Sequence, residues 1–256
     1  MEIDPNLGSK EDLDALIRDA EKQGMRVILD GVFNHTGDDS RYFNRYSNYP
    51  SLGAYQSTQS PYYDWYTFHG SRDRYDSWWG IETLPAIKES SESYQNFMFS
   101  ENGVIKSWLK HGIGGYRLDV ADELPGFFLK MLRKAAKDQD PDAVIIGEVW
   151  EDASNKIAYG ERREYFQGEE LDSVMNYPLK DAIINFLLSG NTNRLREVIA
   201  MLIDHYPKAT LDSLMNHLGT HDTARTLTVL GGKSCQSKEE MAVTHLSNSE
   251  KEAAKE

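Results

Sequence analysis

The sequence predicts an α/β fold with a parallel sheet, built as a TIM (β/α)8-barrel. Continuous apolar strands alternate with amphipathic helices along the chain, which is typical of a parallel sheet covered on both faces. Ionisable residues directly follow several of these strands, as they do at the C-terminal face of a barrel. The 256 residues are also close to the length that one such barrel needs.

The first half of the chain contains two predicted strand and helix pairs. A helix is expected over Glu11 to Gly24 with Ser9 as its N-cap, and the apolar run 26–30 follows as a buried strand. A longer helix is expected over Ser93 to His111, and residues 112–120 follow as the next strand.

The second half continues the alternation. Its apolar runs and amphipathic stretches are again separated by short polar segments. The predicted elements are helices over 125–137, 156–166, 179–188 and 194–205, and strands over 143–150, 173–176 and 214–222.

Aromatic residues are concentrated in one segment. Thirteen of the 28 Phe, Trp and Tyr residues lie within residues 42–79, among many Ser, Asn, Asp and Gly residues. The segment has no helical period, which predicts a long irregular excursion. A loop of this length in a compact protein is usually functional. A small aromatic core beneath the loop is the plainer explanation, and the two are compatible.

Composition excludes several classes of protein. Hydrophobic residues make up 39% of the chain and charged residues 27%, so a sizeable core is expected. The net charge of −13 disfavours a nucleic-acid binder and a binder of anionic membranes. The single cysteine, Cys235, excludes an internal disulfide and a Cys-based zinc cage. No apolar run approaches the roughly 20 residues of a membrane span.

Three carboxylates, Asp119, Glu148 and Asp222, each end a predicted strand and are expected to converge at one mouth of the barrel. Arg117 lies two residues before Asp119, so the two side chains share a strand face, and the guanidinium would hold Asp119 ionised. Glu148 follows an apolar run, and we expect its dry surroundings to favour the protonated form that a general acid needs.

His35 and His221 also lie at predicted strand ends, where a neutral imidazole can donate hydrogen bonds to hydroxyl groups. Any one of these residues alone is more simply explained as an ion pair or a helix cap. Six of them at matching strand ends favour a catalytic site.

Four segments of the chain resemble, in order and spacing, the four signature regions of the α-amylase family, glycoside hydrolase family 13. The resemblance implies that Asp119 is the nucleophile, Glu148 the general acid/base and Asp222 the stabiliser of the transition state. It also implies that Arg117, His35 and His221 line the same sugar subsite. The segments are 30–35, 115–123, 147–150 and 218–222.

The resemblance implies a retaining glycosidase that acts on α-glucosidic bonds of starch-type glucans through a covalent glycosyl-enzyme intermediate. Maltooligosaccharides, cyclodextrins, pullulan and starch all belong to this class, and transglycosylation would share the intermediate. Two carboxyl groups about 5 Å apart suit this chemistry. Flat sugar faces stack on aromatic rings, so Trp79 and Trp150, with Tyr75 and Trp78, are candidate platforms.

Within the family, the stretch from Val120 to Glu123 is similar to the neopullulanase, cyclomaltodextrinase and maltogenic amylase group, and to nearby amylopullulanases. The stretch 84–88 matches that group only in part. Asn34 matches a calcium ligand of typical α-amylases, but Glu123 stands where those enzymes have a ligating His. We therefore expect no required cofactor and do not assign calcium.

Aligned with the family, the chain predicts an incomplete barrel, with about strands three to seven of eight. Residues 1–36 would start the barrel, 37–92 would form an inserted domain B-like loop, and 93–256 would carry the remaining strands. No signal peptide opens the chain, which favours a cytoplasmic location, but secretion stays open because the resemblance places barrel elements before Met1. The expected partner is an α-glucan, with no nucleic acid and no membrane, and the full-length protein is a candidate homodimer.

Two other classes fit part of the pattern. Acidic strand ends also describe enolase-type barrels that bind Mg²⁺, but Arg117 would repel a cation there. A non-catalytic carbohydrate-binding or transporter-associated amylase-like module would usually lose the catalytic carboxylates, whereas this chain keeps all three.

Overall fold

The structure, a computed structural model, describes residues 2–235 and 237–255. The chain divides into two units. The first runs up to Glu148 and includes Ala158–Asp172, and the second comprises Val149–Ile157 and the chain from Ser173 onward. Within the described residues, no helix has both the length and the apolar character needed to cross a bilayer.

A parallel sheet forms the centre of the first unit. Its strands are β1 (Leu29–Gly31), β2 (Gly115–Leu118) and β3 (Val144–Gly147), in that spatial order. Every residue of β2 is buried, as expected for a strand covered on both faces. The parallel sheet is therefore confirmed, with strands shorter than predicted, while closure into a barrel stays a prediction.

Helices follow or precede these strands as the alternation predicts. The predicted Ser9 cap is confirmed, because Ser9 and Asp12 form a reciprocal capping box. The helices of the first unit are α1 (Lys10–Lys22), α2 (Glu92–Phe99), α3 (Val104–Lys110) and α4 (Gly126–Gln139).

The prediction of one helix over 93–111 is wrong, because α2 and α3 are separate. The chain turns at Ser100, whose ψ of 171° is extended, and α3 begins after Gly103. A Cβ at Gly103 would lie 2.7 Å from the carbonyl oxygen of Met98, so only glycine fits this close turn.

Between β1 and α2 the chain is irregular, as predicted, with short 3₁₀ turns at Tyr63–Trp65 and Trp78–Gly80. This segment has its own aromatic core. Phe43 is fully buried, and its ring contacts Tyr75 at 4.8 Å and Tyr66 at 4.9 Å between centroids. The packing of these rings explains how a segment without regular helices or strands keeps one conformation.

The predicted helix over 156–166 is also wrong. Two short strands, β4 (Ile157–Ala158) and β5 (Glu161–Arg162), stand there on either side of a turn. Tyr159 and Gly160, the central residues of the turn, have φ of 54° and 79°. Positive φ at both central residues is what a type I′ hairpin turn requires, and it is incompatible with a helix.

The second unit is mainly helical, with a core that includes Val198, Leu202 and Tyr206. The predicted strand over 214–222 is wrong, since only Met215 forms a parallel bridge, to Met175. The elements are β6 (Ser173–Val174), α5 (Tyr177–Ser189), α6 (Asn193–His205), α7 (Lys208–Asp212), α8 (Thr226–Leu230), α9 (Lys238–Val243) and α10 (Asn248–Ala253).

Candidate active site

The ends of the three parallel strands bring the predicted charged residues of the first unit together. Asp30 is in register with Arg117, and Arg117 is in register with Ile146 of the next strand. Because the strands are parallel and in register, residues just beyond them meet at one edge of the sheet. Asp119 and Glu148 follow β2 and β3 at this edge.

Arg117 is the centre of the cluster. Its Nη1 donates to Asp119 Oδ1 at 2.7 Å and to Asp30 Oδ1 at 2.8 Å, and its Nη2 lies 2.9 Å from Glu148 Oε2. Burial alone would lower the pKa of the guanidinium, but the three carboxylates raise it above its ordinary value. The predicted contact between Arg117 and Asp119 is thus present, and one cation fixes two candidate catalytic carboxylates.

Glu148 is buried, with 4% of its surface exposed, in agreement with the dry environment predicted for it. The sequence did not reveal that Arg117 contacts it, nor that the backbone N–H of Val120 donates to its Oε2 at 2.8 Å. Val120 has φ of 40°, which is strained for a β-branched residue. This strained conformation supports the orientation of the Glu148 carboxyl group.

His35 lies at the end of the segment that follows β1. Burial lowers its pKa below the ordinary value, and the charge of Asp119 opposes this shift in part. A neutral imidazole is therefore favoured at neutral pH, and its N–H can donate a hydrogen bond to a sugar hydroxyl. The ring stacks on Trp78 at 5.4 Å between centroids, and Trp78 stacks on the predicted platform Trp79 at 5.0 Å.

The second unit holds the other predicted site residues. Asp222 lies 2.8 Å from Lys238 Nζ and 3.1 Å from Nε2 of His221. Trp150 stacks on Tyr177 at 4.1 Å between centroids, and a cavity of about 360 Å³ lies beside it. The convergence of Trp150, His221 and Asp222 with the cluster around Arg117 stays a prediction.

Asp30 was missed as a site residue. It opens the segment 30–35, and its register opposite Arg117 follows from the parallel pairing of neighbouring strands. An acidic residue at a strand end next to a strand that carries Arg was the available signal. In contrast, nothing in the sequence marks the left-handed conformation of Val120.

Glu89 is an unusual carboxyl group of the first unit. Burial, with a smaller contribution from the charge of Glu123, raises its pKa to about 7. The native state then holds this proton more tightly than the unfolded chain, so its stabilising effect is complete below about pH 4.5 and is lost as pH rises through 7. We expect the free energy of unfolding to fall by roughly 3 kcal/mol from this group over that range.

Glu89→Gln is expected to remove this part of the pH dependence, because an amide does not titrate there. Urea unfolding at pH 5 and pH 8 measures it, with the exposed Glu21→Gln as a control for loss of the same charge. An unchanged difference between the two pH values in Glu89→Gln would contradict the assignment.

Comparison with known proteins places the chain in a family. The profile described as "Alpha amylase, catalytic domain" matches residues 1–252. The chain is 39% identical to an amylopullulanase of Thermoanaerobacterium thermosulfurigenes, over 93% of the chain and 14% of that protein. It is 31% identical to neopullulanase 2 of Thermoactinomyces vulgaris, over 91% of the chain and 38% of that protein.

Two solved structures of glucan hydrolases are also similar to the chain. The type III pullulan hydrolase from Thermococcus kodakarensis superposes with a TM-score of 0.77 at 28% identity, over 94% of this chain and 41% of that one. The cyclic α-maltosyl-(1→6)-maltose hydrolase from Arthrobacter globiformis gives 0.76 at 26% identity, over 89% and 49%. The chain thus spans less than half of each of these relatives. By its profile match and its relatives, the chain belongs to the α-amylase catalytic-domain family.

Proposed function

We propose that the full-length protein is a retaining glycoside hydrolase that acts on α-glucosidic bonds of starch-type glucans. The observation that carries the proposal is the cluster in which Arg117 contacts both Asp119 and Glu148 at adjacent strand ends. It links two carboxyl groups, of which Glu148 is buried, through one guanidinium, and such a hydrolase uses a pair of carboxyl groups.

In the first step, an Asp119 oxygen attacks the anomeric carbon while the bond to the glycosidic oxygen breaks. Glu148 gives its proton to that oxygen, so the leaving sugar departs as a neutral alcohol. In the second step, Glu148 removes a proton from water, and the resulting attack on the anomeric carbon releases Asp119. Attack by a sugar hydroxyl instead of water would give transglycosylation.

Arg117 holds Asp119 in position for attack, since its guanidinium contacts three carboxylates. His35 is placed to donate a hydrogen bond to a hydroxyl of the bound sugar. By the family pattern, Asp222 and His221 would contact the same distorted sugar, and Trp150 and Trp79 would stack on neighbouring residues. Residues 37–92 would be the inserted domain B of an incomplete barrel.

The names of the relatives guide the choice of substrate. They include amylopullulanase, neopullulanase and cyclomaltodextrinase, whose names refer to starch, pullulan and cyclic maltodextrins. We propose α-glucans of this group as substrates, with no cofactor step. Hydrolysis of maltooligosaccharides, cyclodextrins and pullulan by the full-length protein is the direct assay.

Glu148→Gln tests the role of the proposed acid. We expect kcat/KM on maltooligosaccharides to fall by at least about a hundredfold, because a poor leaving group needs the proton. A substrate with an activated phenol leaving group should lose far less in the glycosylation step, since it departs without protonation. Single-turnover release of the phenol measures that step alone.

Equal losses on both kinds of substrate would show that Glu148 is not the acid. Glu151→Gln, three residues after Glu148 in the chain, is the matched control, since Glu151 is exposed and pairs with Lys156. We expect Glu151→Gln to change the rate on either kind of substrate by no more than about twofold.

A further inference from the structure

Two exposed aromatic residues of the first unit have unusual backbone conformations. Trp79 and Tyr159 have φ of 51° and 54°, and their surfaces are 76% and 72% exposed. Left-handed φ is rare and costly for bulky residues, and it clusters at functional sites. Burial of the rings does not compensate for this cost, because both rings face solvent.

Both side chains donate to the same carboxylate. Trp79 Nε1 donates to Glu123 Oε1 at 3.0 Å, and the hydroxyl of Tyr159 donates to Glu123 Oε2. The donors come from two segments that are distant in sequence, the 3₁₀ turn Trp78–Gly80 and the turn between β4 and β5. Glu123 therefore brings the polar edges of two exposed rings to one point.

Stacked rings connect this point to the candidate active site. Trp79 stacks on Trp78, and Trp78 stacks on His35, whose pKa responds to the charge of Asp119. Trp79 thus lies two stacking steps from His35. A glucan that occupies the subsite at His35 must extend by further sugar residues to reach Trp79.

We propose that Trp79 and Tyr159 form a paired aromatic platform that binds a sugar residue of the α-glucan beyond the reacting subsite, and that Glu123 is the positioning residue for both rings. The proposal rests on the proposed function and names part of its substrate-binding surface. A pyranose is an uncharged ring with apolar C–H faces and hydroxyl edges, and exposed aromatic faces beside a hydrogen-bonded carboxylate suit both features.

The test compares long and short substrates in the full-length protein. Tyr159→Ala is expected to raise KM for maltoheptaose by about tenfold while kcat changes by less than about twofold. The ratio of kcat/KM between maltoheptaose and a short aryl maltoside should therefore fall by about tenfold. A ratio within about twofold of the unmodified protein, or a parallel fall on both substrates, would overturn the proposal.

The positioning role of Glu123 is tested by combining its substitution with that of its donor Tyr159. Glu123→Ala should lower the same ratio. The double variant Glu123→Ala with Tyr159→Ala should lower it by less than about threefold more, because both substitutions remove the same positioned Tyr159 ring. Glu123→Gln should recover part of the ratio, because its amide oxygen still accepts a hydrogen bond. Fully additive losses would show that Glu123 does not position Tyr159.

Tyr46→Phe is the matched control. Tyr46 is another exposed tyrosine of the first unit, and its hydroxyl donates to a carboxylate, that of Asp38, at 2.9 Å. We expect the ratio in Tyr46→Phe to match the unmodified protein. Tyr159→Phe, which keeps the ring and removes only the hydroxyl, guards against a folding defect and should lower the ratio in the same direction.

Binding separates this proposal from the proposed function. If the unmodified protein hydrolysed neither substrate, the proposed function would fail, and titration of tryptophan fluorescence with maltoheptaose would still test the platform. An apparent Kd about tenfold higher in Tyr159→Ala would support the platform, whereas equal Kd values or no binding by the unmodified protein would overturn it.

Discussion

Replacing Asp119 by Asn in the full-length protein is expected to lower kcat on α-glucans by at least about 10⁴-fold. The change keeps the size of the side chain but removes the nucleophilic oxygen that would form the glycosyl ester. Asp119 accepts from Arg117 at 2.7 Å, and an amide oxygen can accept that bond as well. The structural change is therefore small in comparison with the chemical one.

Asp30→Asn is the matched control for this substitution. Asp30 accepts from the same Nη1 of Arg117 at 2.8 Å, but it is half exposed and lies within the neighbouring strand, β1. We expect Asp30→Asn to lose no more than about tenfold in kcat, because it weakens only one of the contacts that fix Arg117. A loss as large as that of Asp119→Asn would assign the effect to the ion cluster instead of the nucleophile.

A mechanism-based reagent identifies the residue directly. In a 2-deoxy-2-fluoro-glycosyl fluoride, the fluorine at C2 slows both steps and the fluoride leaving group speeds the first, so the glycosyl ester accumulates. Peptide mass spectrometry should find the adduct on the peptide that contains Asp119 and find none in Asp119→Asn. Adduct formation at another carboxylate would contradict the assignment of the nucleophile.

The parallel sheet and the contact between Arg117 and Asp119 could be predicted because both depend on short-range regularities. Apolar runs such as 144–147 mark buried strands, and residues two apart on a strand share a face. The residue at which each apolar run ends then predicts which charged residues lie at the ends of the strands. These rules act within one element, so no tertiary information was needed.

The helix predicted over 156–166 and the strand predicted over 214–222 were wrong because the local sequence pattern and the backbone geometry differ there. Residues 156–166 include enough helix-forming residues to resemble a helix, but the turn at Tyr159 and Gly160 places two residues at positive φ. The expected strand over 214–222 ends early because side-chain hydroxyls bind the backbone. Thr223 Oγ1 accepts from the N–H of Thr220, and Thr220 Oγ1 accepts from the N–H of Asp222.

The partners of Glu148 were outside the reach of sequence reasoning for a different reason. They depend on the lateral spacing of strands and on the strained backbone of Val120, and both are set by the surrounding fold. The apolar residues before Glu148 correctly predicted its burial. They could not show that a guanidinium from the adjacent strand accompanies it.

Arg117→Met is expected to lower the free energy of unfolding by about 3–5 kcal/mol at pH 8, in addition to abolishing turnover. Methionine fills a similar length without a charge, so Glu148, with 3% of its side chain exposed, would be left without its cation. Calorimetry of the full-length protein at pH 8 measures the effect.

The double variant Arg117→Met with Glu148→Gln separates an unpaired charge from simple loss of packing. Removing the buried carboxylate should restore more than about 1 kcal/mol of the loss caused by Arg117→Met alone, because the amide carries no charge to desolvate. Arg26→Met is the control for an exposed pair. Arg26 lies 3.0 Å from Asp140 and is about half exposed, so its loss should stay below about 1 kcal/mol. If the double variant were no more stable than Arg117→Met, the stabilising role of Arg117 would come from packing, and its electrostatic hold on Glu148 would be refuted.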